Sequence, residues 1–198
     1  MLIFMNILVI LGHPNPCSFN HAIAKTAVDT LTEMGHSVIF HDIYAEKFDP
    51  TLPLSELQTL TDPQIRLHTE ELANTDGLVI IHPIWWGLPP AVIAGWVDRV
   101  FRVGVAYRFQ EVAPGVGVPV GLLKAKKAVV FNTSNTPQDQ EELRCKDAMG
   151  NLWKVCMLDT VGVKETERKL FSPMMVSTQQ QREGWLKEAA EIVKKQFS

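Results

Sequence analysis

The chain reads as an α/β sandwich, a sheet of five parallel strands with helices on both faces. Three observations carry that prediction. Continuous apolar runs alternate with segments of helical periodicity from end to end. The runs lack the in-out alternation of a half-exposed strand, as expected where both faces are covered. Loops built from Pro with Ser and Asn, or from Pro with paired Trp, follow the carboxyl ends of three of them.

Taken in order, "MNILVILG" (5–12) is the first strand. The longer N-terminal stretch "MLIFMNILVILGHP" is too short to span a bilayer and has no basic leader, so it reads as buried strand. Residues 18–35 place Phe19, Ile23, Ala27 and Leu31 on one helical stripe, opened by Ser18 or Cys17 and closed by Gly35. "HSVIFHDIY" (36–44) is a second strand, residues 45–75 a loop with a short helix, and "DGLVIIHPIWWG" (76–87) holds a third strand. Residues 89–101 form a helix with proline in its first turn, where the missing N–H costs little. "KKAVVFNTSN" (126–135) is a fourth strand, followed by a long helix around 138–160 and a fifth strand in 162–173. "STQQQ" (177–181) fits a capping box, and the helix it opens turns Trp185, Leu186, Ala189, Ile192 and Val193 inward.

No repeat, low-complexity tract or linker interrupts the pattern, so residues 1–198 are expected to form one domain. With 46% hydrophobic and 21% charged residues, the composition is that of a globular protein. A net charge of −3, without a basic stripe, gives no reason to expect nucleic acid or an anionic membrane. Cys17, Cys145 and Cys156 are odd in number and widely spaced, which argues against a disulfide framework and for a reducing, cytoplasmic setting. Zinc-ligand spacing is absent, so no metal is expected.

In such sheets ligands sit beyond the carboxyl ends of the strands, near the reversal in strand order. Three strand-end loops carry the candidate chemistry: "GHPNPCSFN", "HPIWWGLPP" and "NTSNTPQ". The first offers backbone N–H groups at a helix start, the Ser18 hydroxyl and His13 to a phosphate. A capped loop stiffened by proline is the plain alternative. Neither GxGxxG nor GxxxxGK[ST] occurs, which removes the dinucleotide-binding fingerprint and the P-loop. In the second, adjacent Trp85 and Trp86 at a loop tip suit a wall for a flat aromatic ligand, with Gly87 allowing close backbone approach. Covering a sheet edge or a subunit contact would use them equally well. Cys17 stands at a helix start that favours a thiolate, though a small residue in a tight loop explains it as simply.

"HPNPCSFN", "HDIYAEKFDP", "DGLVIIHPIWWGLPPAVIAGWVDRVF" and "VAYRF", in that order and spacing, resemble the NAD(P)H:quinone oxidoreductase family, over most of residues 5–135. That family includes flavoprotein subunits of glutathione-gated potassium efflux systems. The resemblance implies a flavodoxin-like fold, FMN or FAD as cofactor, and a homodimer with the flavin at the subunit boundary. It places His13, Cys17, Ser18, Phe19 and Asn20 around the phosphate and ribityl chain. Pro83, Ile84, Trp85, Trp86 and Gly87 would line the isoalloxazine, and Asn132, Thr133, Ser134 and Asn135 its other edge. Tyr107 and Phe109 match aromatics that reach across the dimer to substrate, and the 89–101 helix, with Trp96 and Phe101, would supply much of the interface. Trp86, Tyr107 and Asn135 are thereby the residues set against the reacting groups. The implied activity is two-electron, ping-pong hydride transfer from NAD(P)H to a quinone-like acceptor.

Here the chain departs from the family, which carries a Gly-Gly pair and then a tyrosine and a histidine after the fourth strand. This sequence has "NTSNTPQDQEELRCKD", no tyrosine after Tyr107 and no histidine after His82. Backbone N–H groups of residues 133–136, or Arg144, are the candidates to stabilise the flavin's charged edge instead. The short 45–75 segment, without an aromatic between Phe48 and Trp85, favours FMN over FAD. A regulatory flavoprotein subunit bound to a membrane potassium-efflux transporter is the alternative function. A one-electron flavodoxin-type carrier fits less well, given the modest charge and "HPNPCSF".

Overall fold

A computed structural model describes residues 4–198; Met1 to Ile3, at the start of the apolar N-terminal stretch, lie outside it. Five parallel strands, β1 (Asn6–Leu11), β2 (Ser37–Asp42), β3 (Gly77–Pro83), β6 (Lys127–Thr133) and β7 (Glu165–Phe171), pair in the order β2-β1-β3-β6-β7. This is the doubly wound, flavodoxin-like order, with its reversal between β1 and β3. The three central strands are buried on both faces, which is why their sequences read as unbroken apolar runs.

Side chains alternate across the sheet and feed two cores. Ile7, Val9, Val79, Ile81, Val129 and Phe131 pack under α1 (Phe19–Glu33) and α6 (Gln179–Phe197). Leu8, Ile10, Leu78, Ile80 and Val130 pack on the opposite face with residues of α2 (Pro63–Asn74) and α3 (Ala91–Val100). Ser18 caps α1, and Thr178 with Gln181 forms the expected capping box of α6. Pro90 stands at the cap of α3 rather than inside its first turn. Buried Arg99 of α3 binds Glu56, Asp62 and the Asp49 carbonyl, fastening the 49–62 stretch to the helix.

One expectation is corrected, and one element is added to those read from the sequence. The helix around 138–160 is broken: α4 (Gln138–Cys145) ends at Lys146 and Asp147, both left-handed (φ 50° and 52°). The chain resumes as α5 (Ala148–Asn151) and a π-helical stretch, Leu152–Asp159. Asp147 explains the break. It caps Gly150 N–H and pairs with Arg168 of β7, and a Cβ on Gly150 would fall 2.0 Å from its carboxylate. Second, an antiparallel hairpin, β4 (Tyr107–Ala113) and β5 (Val116–Gly121), stands apart from the main sheet. Its Pro114-Gly115 turn uses the left-handed freedom of Gly115 (φ 73°). Among the described residues no helix is long and apolar enough to cross a membrane.

Candidate functional site

A cleft of about 420 Å³ opens at the carboxyl ends of β1, β3 and β6, at the reversal in strand order. Its walls are the β1–α1 loop and first turn of α1 (His13, Asn15, Cys17, Ser18, Phe19, Asn20) and the end of β3 (Pro83, Ile84, Trp85). The end of β6 (Thr133, Ser134, Asn135), with Met174, Met175 and Arg182, completes them.

Side-chain bonds to backbone shape the first loop. Asn15 Oδ1 accepts from Cys17 N–H at 2.9 Å, and Asn15 N–H donates to His13 Nδ1 at 3.0 Å. His13 therefore presents its Nε2 as the donor, and burial holds its pKa below the usual value against the opposing Asn15 bond. Ser18 Oγ caps the helix by accepting from His21 N–H. The Phe19 and Asn20 amides, ahead of the first intrahelical bonds of α1, lie at the positive end of its dipole. Asn20 is 3% exposed; its Nδ2 donates to Thr133 Oγ1 at 2.9 Å, while its buried Oδ1 has no partner among the described residues. An orphaned buried acceptor is costly, and this one belongs to a residue of the cleft wall.

Under the cleft floor lies a polar network. Trp153 Nε1–H donates to His82 Nε2 at 2.8 Å, which leaves the ring proton on Nδ1, bonded to the Pro83 carbonyl at 2.8 Å. Burial, with Arg168 nearby, pushes the pKa of His82 down to about 4 despite that bond, so the ring is neutral near pH 7. Asn132 joins it, donating to His82 Nε2 at 3.1 Å and accepting from Arg168 Nε at 2.7 Å.

Most residues expected around a ligand meet at the cleft; four placements differ. Asn132 points to the opposite face of the sheet, into the His82 network, because strand alternation gives the cleft side to Thr133. Trp86 and Gly87 form the tip of a turn closed by reciprocal Trp85–Leu88 bonds of 3.0 and 2.9 Å. Both are left-handed (φ 55° and 73°), and Trp86 is fully exposed, outside the cleft. A bulky residue in this region costs about 1–2 kcal/mol. Tyr107, on β4, lines a separate hollow with Glu56, Phe101 and Arg102, and Phe109 beside it is exposed. Trp96 is corrected as an interface residue: it is wholly buried in its own chain, its Nε1–H donating to His68 Nδ1 at 3.0 Å.

The substitutes expected for the family's relay also change. Ser134 N–H bonds the Phe171 carbonyl at the end of β7 and Thr136 N–H bonds Ser134 Oγ, so these two amides are already engaged. Arg144 is exposed and away from the cleft. Arg182 of α6, absent from the sequence expectations, brings a cation to the wall instead. It is held by Ser177 Oγ (2.8 Å) and the Met174 carbonyl (3.1 Å).

Among the described residues one cluster has metal-ligand composition: His41, Glu46 and His68. Its protons are already placed. Trp96 occupies the His68 Nδ1 lone pair, so His68 Nε2 carries its proton toward Glu46 at 3.2 Å. His41 bonds carboxylates from both nitrogens, Glu46 and Glu71, each at 2.7 Å. The arrangement is a set of ion pairs, with no imidazole lone pair aimed at a common centre.

Comparison with known proteins agrees with this fold. A Haemophilus influenzae protein named "uncharacterized NAD(P)H oxidoreductase" is 29% identical over 193 residues, 94% of this chain and 93% of that protein. NAD(P)H dehydrogenase (quinone) 1 of Cavia porcellus is 27% identical over 158 residues, 69% of this chain and 56% of that longer protein. An FMN-dependent NADH-azoreductase of Bacillus anthracis, solved in complex with FMN, superposes with a TM-score of 0.78, covering 98% of this chain and all of that one; at 14% identity this speaks to the fold alone. The resemblance carried by the separated motifs is borne out: the chain, matched over residues 5–196 by the flavodoxin-like fold family, belongs to that family.

Proposed function

We propose that this chain is a flavin-dependent NAD(P)H oxidoreductase, cytoplasmic and homodimeric, that holds FMN in the cleft and delivers two electrons to quinones or related acceptors in ping-pong order. The observation that carries this reading is the cleft. It joins a helix start suited to an anion, a buried acceptor awaiting a hydroxyl, and the apolar wall Pro83–Ile84–Trp85 in one hollow. That sequence of surfaces matches phosphate, ribityl chain and ring. The names of the Haemophilus and Cavia relatives support NAD(P)H as donor and quinone as acceptor.

Bound flavin would supply hydride acceptance and donation. The protein's own groups hold and polarise it. Ser18 and the first-turn amides of α1 take the phosphate, while Asn20 and Thr133 meet the ribityl hydroxyls. Asn135 has its Oδ1 engaged by Met175 N–H at 2.9 Å, so its Nδ2 is the donor for the ring edge. Arg182 offsets negative charge in the cleft, and His82 fixes the Pro83 carbonyl and with it the wall. FMN is favoured over FAD because no residue of 45–75 lines the cleft; that segment is folded down instead as a 3₁₀ turn (Leu54–Leu57) and α2. Homodimer formation is supported by exposed Trp86 and the exposed apolar residues Phe109, Val112 and Val116 of the hairpin, where a second copy would bring Tyr107 and Phe109 to its partner's cleft.

An anaerobic absorbance series tests the proposal. Flavin bands should stay with the protein through gel filtration at dimer size, bleach with NADPH and return with a benzoquinone. Flavin that binds but is not reduced would overturn the oxidoreductase reading, and failure to bind FMN or FAD would overturn the site assignment itself.

A further inference from the structure

At the cleft rim three side chains form a hydrogen-bonded line. Ser18 Oγ lies 2.8 Å from His21 Nδ1, and His21 Nε2 lies 2.9 Å from Asp42 Oδ2. Ser18 lines the cleft, His21 sits in the first turn of α1, and Asp42 ends β2. The other Asp42 oxygen accepts from Tyr44 and Ala45 N–H at 3.2 and 3.1 Å, which fixes the carboxylate against the ring. The His21 and Asp42 side chains are 19% and 18% exposed.

An ionised carboxylate only accepts, so His21 Nε2 carries a proton, and Nδ1 then decides what Ser18 can do. In the neutral ring Nδ1 is a lone pair and takes the Ser18 O–H, turning the hydroxyl away from the cleft. In the imidazolium Nδ1–H donates to Ser18 Oγ, and the Ser18 proton is released to bond a ligand. An anion placed against Ser18 selects the second state twice over, because it needs that donor and because its charge favours the cation behind it. Asn20, two residues after Ser18, is the independent sign that this part of the cleft expects a ligand: the residue lines the same hollow, is 3% exposed, and its Oδ1 is unpartnered among the described residues.

We propose that Ser18, His21 and Asp42 form a proton-coupled reader for a phosphomonoester, which binds at Ser18 with uptake of one proton by His21. This rests on the flavin reading above and sharpens it to the phosphate end group of FMN, a near-dianion at neutral pH. His21 is a positioning residue; Ser18 makes the contact. The charged and titratable groups around His21 are Asp42 and Tyr44 at the end of β2, His13 (ring centroids 6.3 Å apart) and Cys17 in the β1–α1 loop, and Lys25 one turn along α1. Lys25 is committed to Asp29 at 2.5 Å, and Asp42 alone among these groups is bonded to the ring as an anion.

Fluorescence titration of FMN and of riboflavin onto the full chain between pH 7 and 9 tests the proposal. Above pH 7 the FMN phosphate is already ionised, so its own second proton, lost near pH ~6, adds little. FMN affinity should weaken as pH rises, approaching tenfold per unit where a whole proton is taken up. Riboflavin affinity should stay within about twofold. Calorimetry of the unaltered chain in two buffers of different ionisation enthalpy should count proton uptake with FMN and none with riboflavin. His21→Gln and Asp42→Asn should lose the slope and weaken FMN about tenfold at pH 7, leaving riboflavin unaffected. A pH-independent FMN affinity without proton uptake, or an equal slope with riboflavin or in His21→Gln, overturns the reader while leaving the flavin site standing. No saturable binding of either flavin overturns both.

Discussion

His41 and His82 are both buried imidazoles on the central sheet, 8% and 0% exposed, yet their surroundings move their pKa values in opposite directions. His82 receives N–H donors on Nε2 and gives its one proton to a carbonyl, and burial pushes its pKa down to about 4. Burial opposes the charge on His41 too, but hydrogen bonds to Glu46 and Glu71 outweigh it and raise the pKa. Glu46 shows the reciprocal effect: burial works against its ionisation, yet the bonds from His41 and His68 bring its pKa down to about 2. Partner chemistry, more than depth, decides the charge of a buried histidine. The neutral one sits under the cleft wall, where a fixed tautomer holds the Pro83 carbonyl. His41, whose partners favour the cation, fastens the strap after β2 to α2, away from the cleft.

The sharpest way to break this contrast is to remove the neutral ring. His82→Leu leaves the Trp153 donor unpaired in the interior and Asn132 only its long bond to the backbone carbonyl of residue 82, and should cost about 3–5 kcal/mol, read from urea midpoints at pH 7. His82→Gln, whose carbonyl can accept from Trp153, should recover part of it; a leucine variant within about 1 kcal/mol of the parent would show that the network carries little energy.

Acid titration comes next in size. The folded pKa of His82 lies below its unfolded 6.5, so its contribution is fully present above pH 6.5 and lost as pH falls toward about 4. Over that window the loss should be about 3 kcal/mol. The loss should vanish from the urea midpoints of His82→Gln; if the variant keeps the same acid slope, another group is responsible. Across pH 4.5 to 6.5 the His41 clamp is intact, because the Glu46 contribution fades only as pH falls through about 2.

Which parts of this were legible in the sequence follows from where each feature gets its cause. Ile7 to Leu11 and Leu78 to Ile81 announce buried strands because two covered faces demand apolar residues at every position. His13, Ser18, Asn20 and Trp85 could be placed at one cleft because they follow strand ends, and the doubly wound order brings those ends together. Asn132 and Thr133 differ by one position, and only the pairing register says which faces the ligand. The break at Lys146–Asp147 is hidden because its cause, Arg168, is distant in sequence. Arg182 gives no local signal, since α6 reaches the cleft by packing rather than by chain order. The Pro114-Gly115 turn is in plain view, but its flanking strands are largely exposed and lack a buried face to mark them.

The smaller effects belong to the clamp. His41 carries a raised pKa, so its contribution is fully present below the unfolded value of 6.5 and lost as pH rises through the folded one. His41→Gln should therefore cost about 1–2 kcal/mol at pH 6, discounted for partly exposed partners, and distinctly less at pH 9. Equal costs at the two pH values would mean that packing, not charge, makes the difference.

Glu71→Gln should have the smallest effect, under about 1 kcal/mol at pH 6, because the amide oxygen still accepts from His41 Nε2 and only the charge is removed. Its value lies in the readout. The NMR titration midpoint of the His41 ring should fall in this variant, since one of the two carboxylates that favour the cation is gone, while that of His82, which has no carboxylate bonded to it, should stay where it is. An unmoved His41 midpoint would assign the clamp to Glu46 alone. A shift at His82 would show that the two rings, on different strands of one sheet, are electrostatically coupled, and that partner chemistry must then be counted across the whole face rather than ring by ring.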